Sequence, residues 1–229
     1  MRAWLRDSVR DTLWEVVPRE QRDTRAGLRR RQFVTVAVVL LGAAILGYSL
    51  RIAPGSPAFY VATLALAGVW VAGAFASGRL HLGRRVSGSR PILAPILLGL
   101  ALSAVFIAGA LVVREIEPLA RYVRSVLEYA DQGSMTLLLA LTLVNGIAEE
   151  LFFRGAAYAA IPRHPVLWTT VAYVVATLAT GNVMLAFAAI VIGAVCGLQR
   201  RASGGVLAPI LTHVTWSSIM LFALPQLFG

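Results

Sequence analysis

The run PILAPILLGLALSAVFIAGALVV, from Pro91 to Val113, holds no charged residue and is bounded by Arg90 and Arg114. At ~1.5 Å per residue a helix of that length reaches ~34 Å. That is enough to cross the ~30 Å hydrocarbon core of a bilayer. Similar runs recur on both sides of it, and the predicted spans fall at residues 33–50, 58–77, 91–113, 134–161, 166–182, 183–198 and 205–227. Composition agrees: apolar residues are 58% of the chain and charged residues 14%, against about a quarter charged in soluble domains. The expected fold is an all-α polytopic transmembrane helical bundle of about seven spans. The junction of spans five and six, at Gly181-Asn182, is the tightest.

The net charge is +10, and all 21 basic residues are Arg. Arginine without lysine points to a high-GC genome. The arginines sit between the apolar runs and form no stripe interleaved with aromatics, so the charge speaks for topology and not for nucleic acid. Nine lie in residues 1–32, four in 78–90, one in 162–165 and two in 199–204. The opposite loops hold Arg51, Arg114, Arg121 and Arg124, and Arg154 falls inside a span. Sixteen against four predicts an N-terminus in the cytoplasm and a C-terminus outside. A multi-pass place in the cytoplasmic (inner) membrane of a bacterial cell is therefore the expectation, with the lipid bilayer as the first partner.

Three sections organise the chain: a basic N-terminal segment (1–32), three spans (33–113), and a four-span core (134–229). Residues 1–32 do not resemble a cleavable signal peptide, so the first span is expected to remain as an anchor. From Trp4 to Val17, Leu5, Val9, Leu13 and Val16 have helical spacing, and Pro18 ends the run. This reads either as an N-terminal amphipathic cytoplasmic helix on the anionic leaflet or as a solvated cap on the bundle. Residues 114–132 predict a second short amphipathic helix, on the outer surface. Gly193 and Gly197 make a GxxxG that close helix packing accounts for. Cys196 is the single cysteine, which excludes an intrachain disulfide and a cysteine metal cluster.

Span four carries Asn145, Glu149, Glu150 and Arg154. Charges inside hydrocarbon cost a few kcal/mol each and mark functional or tightly paired positions. Glu150 and Arg154 are i, i+4, so they share a face and predict an ion pair. Neighbouring helical residues diverge by about 100°, so Glu149 points elsewhere, toward a cavity, where a carboxyl suits general acid–base work. The bland alternative is an ion pair that only locks helices together. His81 and His164 fall in short loops, whereas His213 lies within span seven with Ser217 at i+4. Counted from the cytoplasmic edge, Glu149 and His213 sit roughly 20 and 14 Å deep. The pair is therefore expected to meet, although a lone helix histidine is more often a satisfied core residue.

Glu149-Glu150-x-x-x-Arg154 with a distant His213 on the last helix resembles the CPBP family of CAAX-type prenyl endopeptidases and bacteriocin-processing or self-immunity (Abi) proteins. The resemblance covers about residues 134–222. It implies a glutamate-dependent intramembrane endopeptidase acting near the cytoplasmic side on a membrane-associated peptide or protein substrate. By that resemblance Glu149 is the general base, Glu150 and Arg154 support it, and His213 and Ser217 hold the oxyanion-side positions, where the family has His and Asn. The family's middle FxxxH motif has no histidine here; on span five only Thr177, Thr180 or Asn182 is offered in its place. No cofactor is expected. A catalytic zinc needs three protein ligands, and without an HExxH pair Glu149, Glu150 and His213 would make a strained trio, so no metal is expected. The runner-up is a catalytically degenerate member that uses the same cavity to bind a peptide, lipid or partner helix. A transporter with Glu149 as proton carrier is the third reading, and it lacks the broken-helix repeats of that class.

Overall fold

The computed structural model describes residues 10–18, 23–84, 88–132 and 134–229. Among these the chain is all helical. The helices are α1 (Arg25–Ser49), α2 (Pro57–Ser77), α3 (Leu93–Val113), α4 (Glu117–Asp131), α5 (Met135–Glu150), α6 (Pro165–Leu178), α7 (Val183–Ser203) and α8 (Leu207–Phe228). After Glu150, α5 continues as a π-helical segment, Leu151–Ala157, and one last α turn, Tyr158–Ala160. Six helices, all but α4 and α6, are long and apolar enough to cross a membrane. Their outward faces carry large apolar side chains such as Phe33, Leu40, Val105 and Phe187, as lipid contact requires.

Three boundaries differ from those the sequence predicts. The first helix begins at Arg25, not at residue 33, because Thr24 caps it by accepting from the Gly27 N–H at 3.1 Å. One arginine of the expected basic loop, Arg31, turns inward, only 3% exposed, and donates to Asp23 (3.0 Å) and Ser77 (3.5 Å). Gly78, at φ +146, leaves room for its guanidinium. Likewise α7 runs past residue 198 to Ser203, so Gln199 and Arg200 are buried helix residues and not loop residues. Residues 4–9 of the expected N-terminal helix lie outside the described residues. Its remaining part is a single π turn, Arg10–Trp14, and then irregular chain to Pro18. This segment is bonded to the α7–α8 turn: Val17 N–H donates to the Arg201 carbonyl (3.0 Å) and Arg201 to that of Leu13 (3.2 Å). Residues 10–18 are thus a cap on the bundle.

The two ends of the bundle are built differently. At one end, loop 78–84 pairs with the α7–α8 turn through Arg84 N–H to Ser203, Val206 N–H to His81 and Leu207 N–H to Leu82 carbonyls, at 2.8–3.1 Å. At the other, amphipathic α4 is pinned by the Tyr129 hydroxyl on the Ile52 carbonyl (2.7 Å) and the Asn182 amide on that of Tyr122 (2.7 Å). Short α6 joins the two: Gln32, near the start of α1, bonds the Ala160 carbonyl before it, and Ala179 after it lies against Gly47 near the end of α1. Gly193 and Gly197 seat Thr170 and Val166 of α6, where an added Cβ would approach to 2.9 Å. The GxxxG is a close-packing surface, as its sequence suggests.

Candidate functional site

Two carboxylates stand at the junction where α5 widens into its π-helical segment. The i→i+5 bonding of such a segment is rare and recurs at functional positions. Glu150 and Arg154 are fully buried, and Arg154 Nη1 donates to Glu150 Oε1 at 2.9 Å. The i, i+4 ion pair is present as the spacing requires. Arg154 also lies over the rings of Tyr173 (5.0 Å) and Phe153 (6.0 Å), where the π faces attract a cation. Its carbonyl accepts from Arg200 Nε at 2.8 Å, and the Arg200 guanidinium sits over Tyr158 at 5.0 Å.

His213 meets a glutamate, but the other one. Its Nδ1 is 2.8 Å from Glu150 Oε1, so the hydrogen bond of His213 goes to Glu150, while Glu149 remains within electrostatic reach of the ring. The reason is rotational. Gly146 and Glu150 are i, i+4 on the face of α5 that meets α8, and a Cβ on Gly146 would lie 3.4 Å from Val214 and 3.9 Å from both His213 and Ser217. Those are ordinary contact distances, so α8 packs directly on this face of α5 and sets its histidine beside Glu150. Glu149, one residue earlier, is turned toward α6. There the Tyr173 hydroxyl donates to Glu149 Oε2 at 2.6 Å. Glu149 is partly exposed, whereas Glu150 is not.

The remaining predicted residues divide. Ser217 lies one turn beyond His213 beside Gly146, with its hydroxyl turned back to the Val214 carbonyl at 3.4 Å. Asn182 and Thr180 do not reach the carboxylates. Asn182 caps α7 by accepting from Met184 and Leu185 N–H groups, and Thr180 bonds the Thr177 carbonyl and the Asn182 N–H. Both stand in the turn after α6 ends, at the α4 end of the bundle, so their polarity is spent on ending one helix and starting the next. Thr177 bonds the Tyr173 carbonyl of its own helix.

Tyr173 is a site residue that sequence reasoning missed. Counting depth from Pro165 would have found it, since eight residues at ~1.5 Å place it ~12 Å along α6, close to the level of His213. A second buried network holds the helices around the site: Gln199 Nε2 donates to Thr212 Oγ1, and Thr212 donates to the Pro95 carbonyl, each at 2.8 Å. Among the described residues, no three His, Cys, Asp or Glu side chains gather as metal ligands would.

Residues 131–219 match the family model described as type II CAAX prenyl endopeptidase, Rce1-like. The similarity to that family covers this segment alone. The Rce1-like segment opens just before α5 and closes two residues after Ser217, so it contains every residue of the polar cluster. It is consistent with the CPBP resemblance, and it points to a CAAX-protease type of intramembrane function for a multi-pass membrane protein. No curated protein and no solved structure matches the chain. Helices α1 to α3 lie outside the Rce1-like segment and wrap it: Trp70 of α2 stacks on Phe152 with ring centroids 4.9 Å apart.

Proposed function

We propose that this protein is an intramembrane endopeptidase of the CAAX-protease type, with Glu149 as general base and the Glu150–His213 pair on the oxyanion side. The observation that carries the reading is the unequal use of two adjacent carboxylates. Glu150 is buried and engaged by both Arg154 and His213. Glu149 is partly exposed and held through Oε2 by Tyr173, and its Oε1 takes no hydrogen bond among the described residues. That oxygen is left for a water molecule.

In the proposed reaction Glu149 takes a proton from water as the water oxygen bonds to the carbonyl carbon. The carbonyl electron pair moves onto its oxygen. When it carries a proton on each nitrogen, His213 can donate from both, Nδ1 to Glu150 and Nε2 to the oxyanion. The C–N bond then breaks, and the amine leaves with the proton held by Glu149. Tyr173 fixes the rotamer of Glu149 from α6, the helix on which the family resemblance expects a histidine.

The experiment uses purified protein in liposomes with a prenylated CAAX-type peptide. Cleavage by Glu149→Gln should fall by ~10²–10⁴-fold, the worth of general-base help. Tyr173→Phe should lower kcat with KM unchanged. Equal background from wild type and Glu149→Gln would end the protease reading and leave a binding protein.

The reading also sets the cluster in the cytoplasmic half of the membrane, with α6 as a seventh crossing, N-in and C-out. Support comes from the arginine bias and from the meeting of the N-terminal cap, loop 78–84 and the α7–α8 turn at one end. A reporter fused at Gly229 should register outside; a cytoplasmic signal would remove one crossing.

A further inference from the structure

Two cavities lie side by side at the α4 end of the bundle, and neither is lined by Glu149, Glu150 or His213. The first, about 350 Å³, is walled by α3, α4, α7 and α8 and is almost wholly apolar, with Phe106, Leu127, Phe187 and Trp216 among its side chains. Its volume is that of a small-ligand site. The second, about 340 Å³, lies between the α1–α2 loop, α4 and the α6–α7 turn. Its walls are about half polar, and Arg51, Ser125 and Glu128 line it. Tyr122, Val126 and Asn182 belong to the walls of both. A polar chamber thus adjoins an apolar one across a shared partition, which is the shape of an amphiphile.

Charge narrows the occupant. Arg51 and Glu128 bring opposite charges to the polar chamber, both are exposed, and neither forms an ion pair with the other or with any described residue. Other polar groups nearby are already committed, Tyr129 to the Ile52 carbonyl and Asn182 to Tyr122 and the start of α7. A guanidinium matches phosphate with its fork of donors, while a neighbouring carboxylate repels a purely anionic head and attracts an ammonium.

We propose that the two chambers form one binding site for a zwitterionic phospholipid of the bilayer. Its phosphate meets Arg51, its ammonium meets Glu128, and an acyl chain enters the apolar chamber past Tyr122 and Val126. The site stands apart from the proposed chemistry and does not depend on it. Trp216 is shared ground: it lines the apolar chamber, and its ring lies 6.1 Å from that of His213.

The test equilibrates the purified full chain in detergent with equimolar phosphatidylethanolamine and phosphatidylglycerol and counts retained lipids by native mass spectrometry. One phosphatidylethanolamine should be retained about tenfold over phosphatidylglycerol, equivalent to ~1.4 kcal/mol. Glu128→Gln should erase that preference, Arg51→Gln should reduce retention of both lipids, and Val126→Trp should displace the chain. The first two positions are exposed, so these variants keep the fold; thermal melts check all three. Equal retention of both lipids by wild type, no retained lipid, or an unchanged preference in Glu128→Gln would each overturn the proposal.

Discussion

The segment Leu151–Ala157 faces two neighbourhoods that differ in kind. On one side Phe152 and Phe153 are fully buried against Trp70, with ring centroids 4.9 and 5.1 Å away, and Gly42 of α1 leaves the room that the indole fills. On the other side Arg154 is equally buried among Glu150, His213 and Tyr173. The aromatic side is held by many small, undirected contacts, each of about 0.1–0.2 kcal/mol. It tolerates exchange of one apolar group for another. The polar side depends on a few directed contacts in a medium that strengthens them and penalises any left open. One helix therefore carries a forgiving face and an exacting face within a single turn.

The largest effect should come from breaking the exacting face. Arg154→Ala strips Glu150 of its buried cation and should destabilise the protein by about 3–5 kcal/mol, read as loss of the folded fraction in detergent. Pairing it with Glu150→Leu should recover much of that loss, since an apolar pair often replaces a buried ion pair at little cost. A double variant as unstable as Arg154→Ala alone would show that His213, not Arg154, is the partner that Glu150 needs most.

A smaller effect is expected on the forgiving face. Phe152→Leu keeps the site apolar with a modest change of volume and should cost less than about 1.5 kcal/mol, measured in the same melts. A loss as large as that of Arg154→Ala would abolish the distinction between the two faces.

The same distinction separates what the sequence discloses from what it withholds. Spans are legible because a run such as residues 91–113 excludes charge along its whole length. The Gly181-Asn182 turn is legible because φ +74 at Gly181 and the Asn182 cap need those residue types. The Glu150–Arg154 pair is legible from i, i+4 spacing on one helix. His213 is another matter: counting residues gives its depth but not the rotation of α8 about α5, which the packing of the two helices decides. Tyr173 reaches Glu149 from a third helix, and residue counting gives its depth but not which face of α6 turns toward α5. Arg31 and Arg200 read as loop charges because their burial depends on distant partners, Ser77 for one and the Arg154 carbonyl for the other.

The division of labour between the two adjacent carboxylates is tested most directly by parallel thermal melts of Glu149→Gln and Glu150→Gln in detergent. Glu150→Gln should fall far below wild type, because it removes the charge that Arg154 and His213 share. Glu149→Gln should stay close to wild type, since an amide still accepts from the Tyr173 hydroxyl. The reverse order, with Glu149→Gln the less stable, would contradict the assignment and exchange the roles of the two residues.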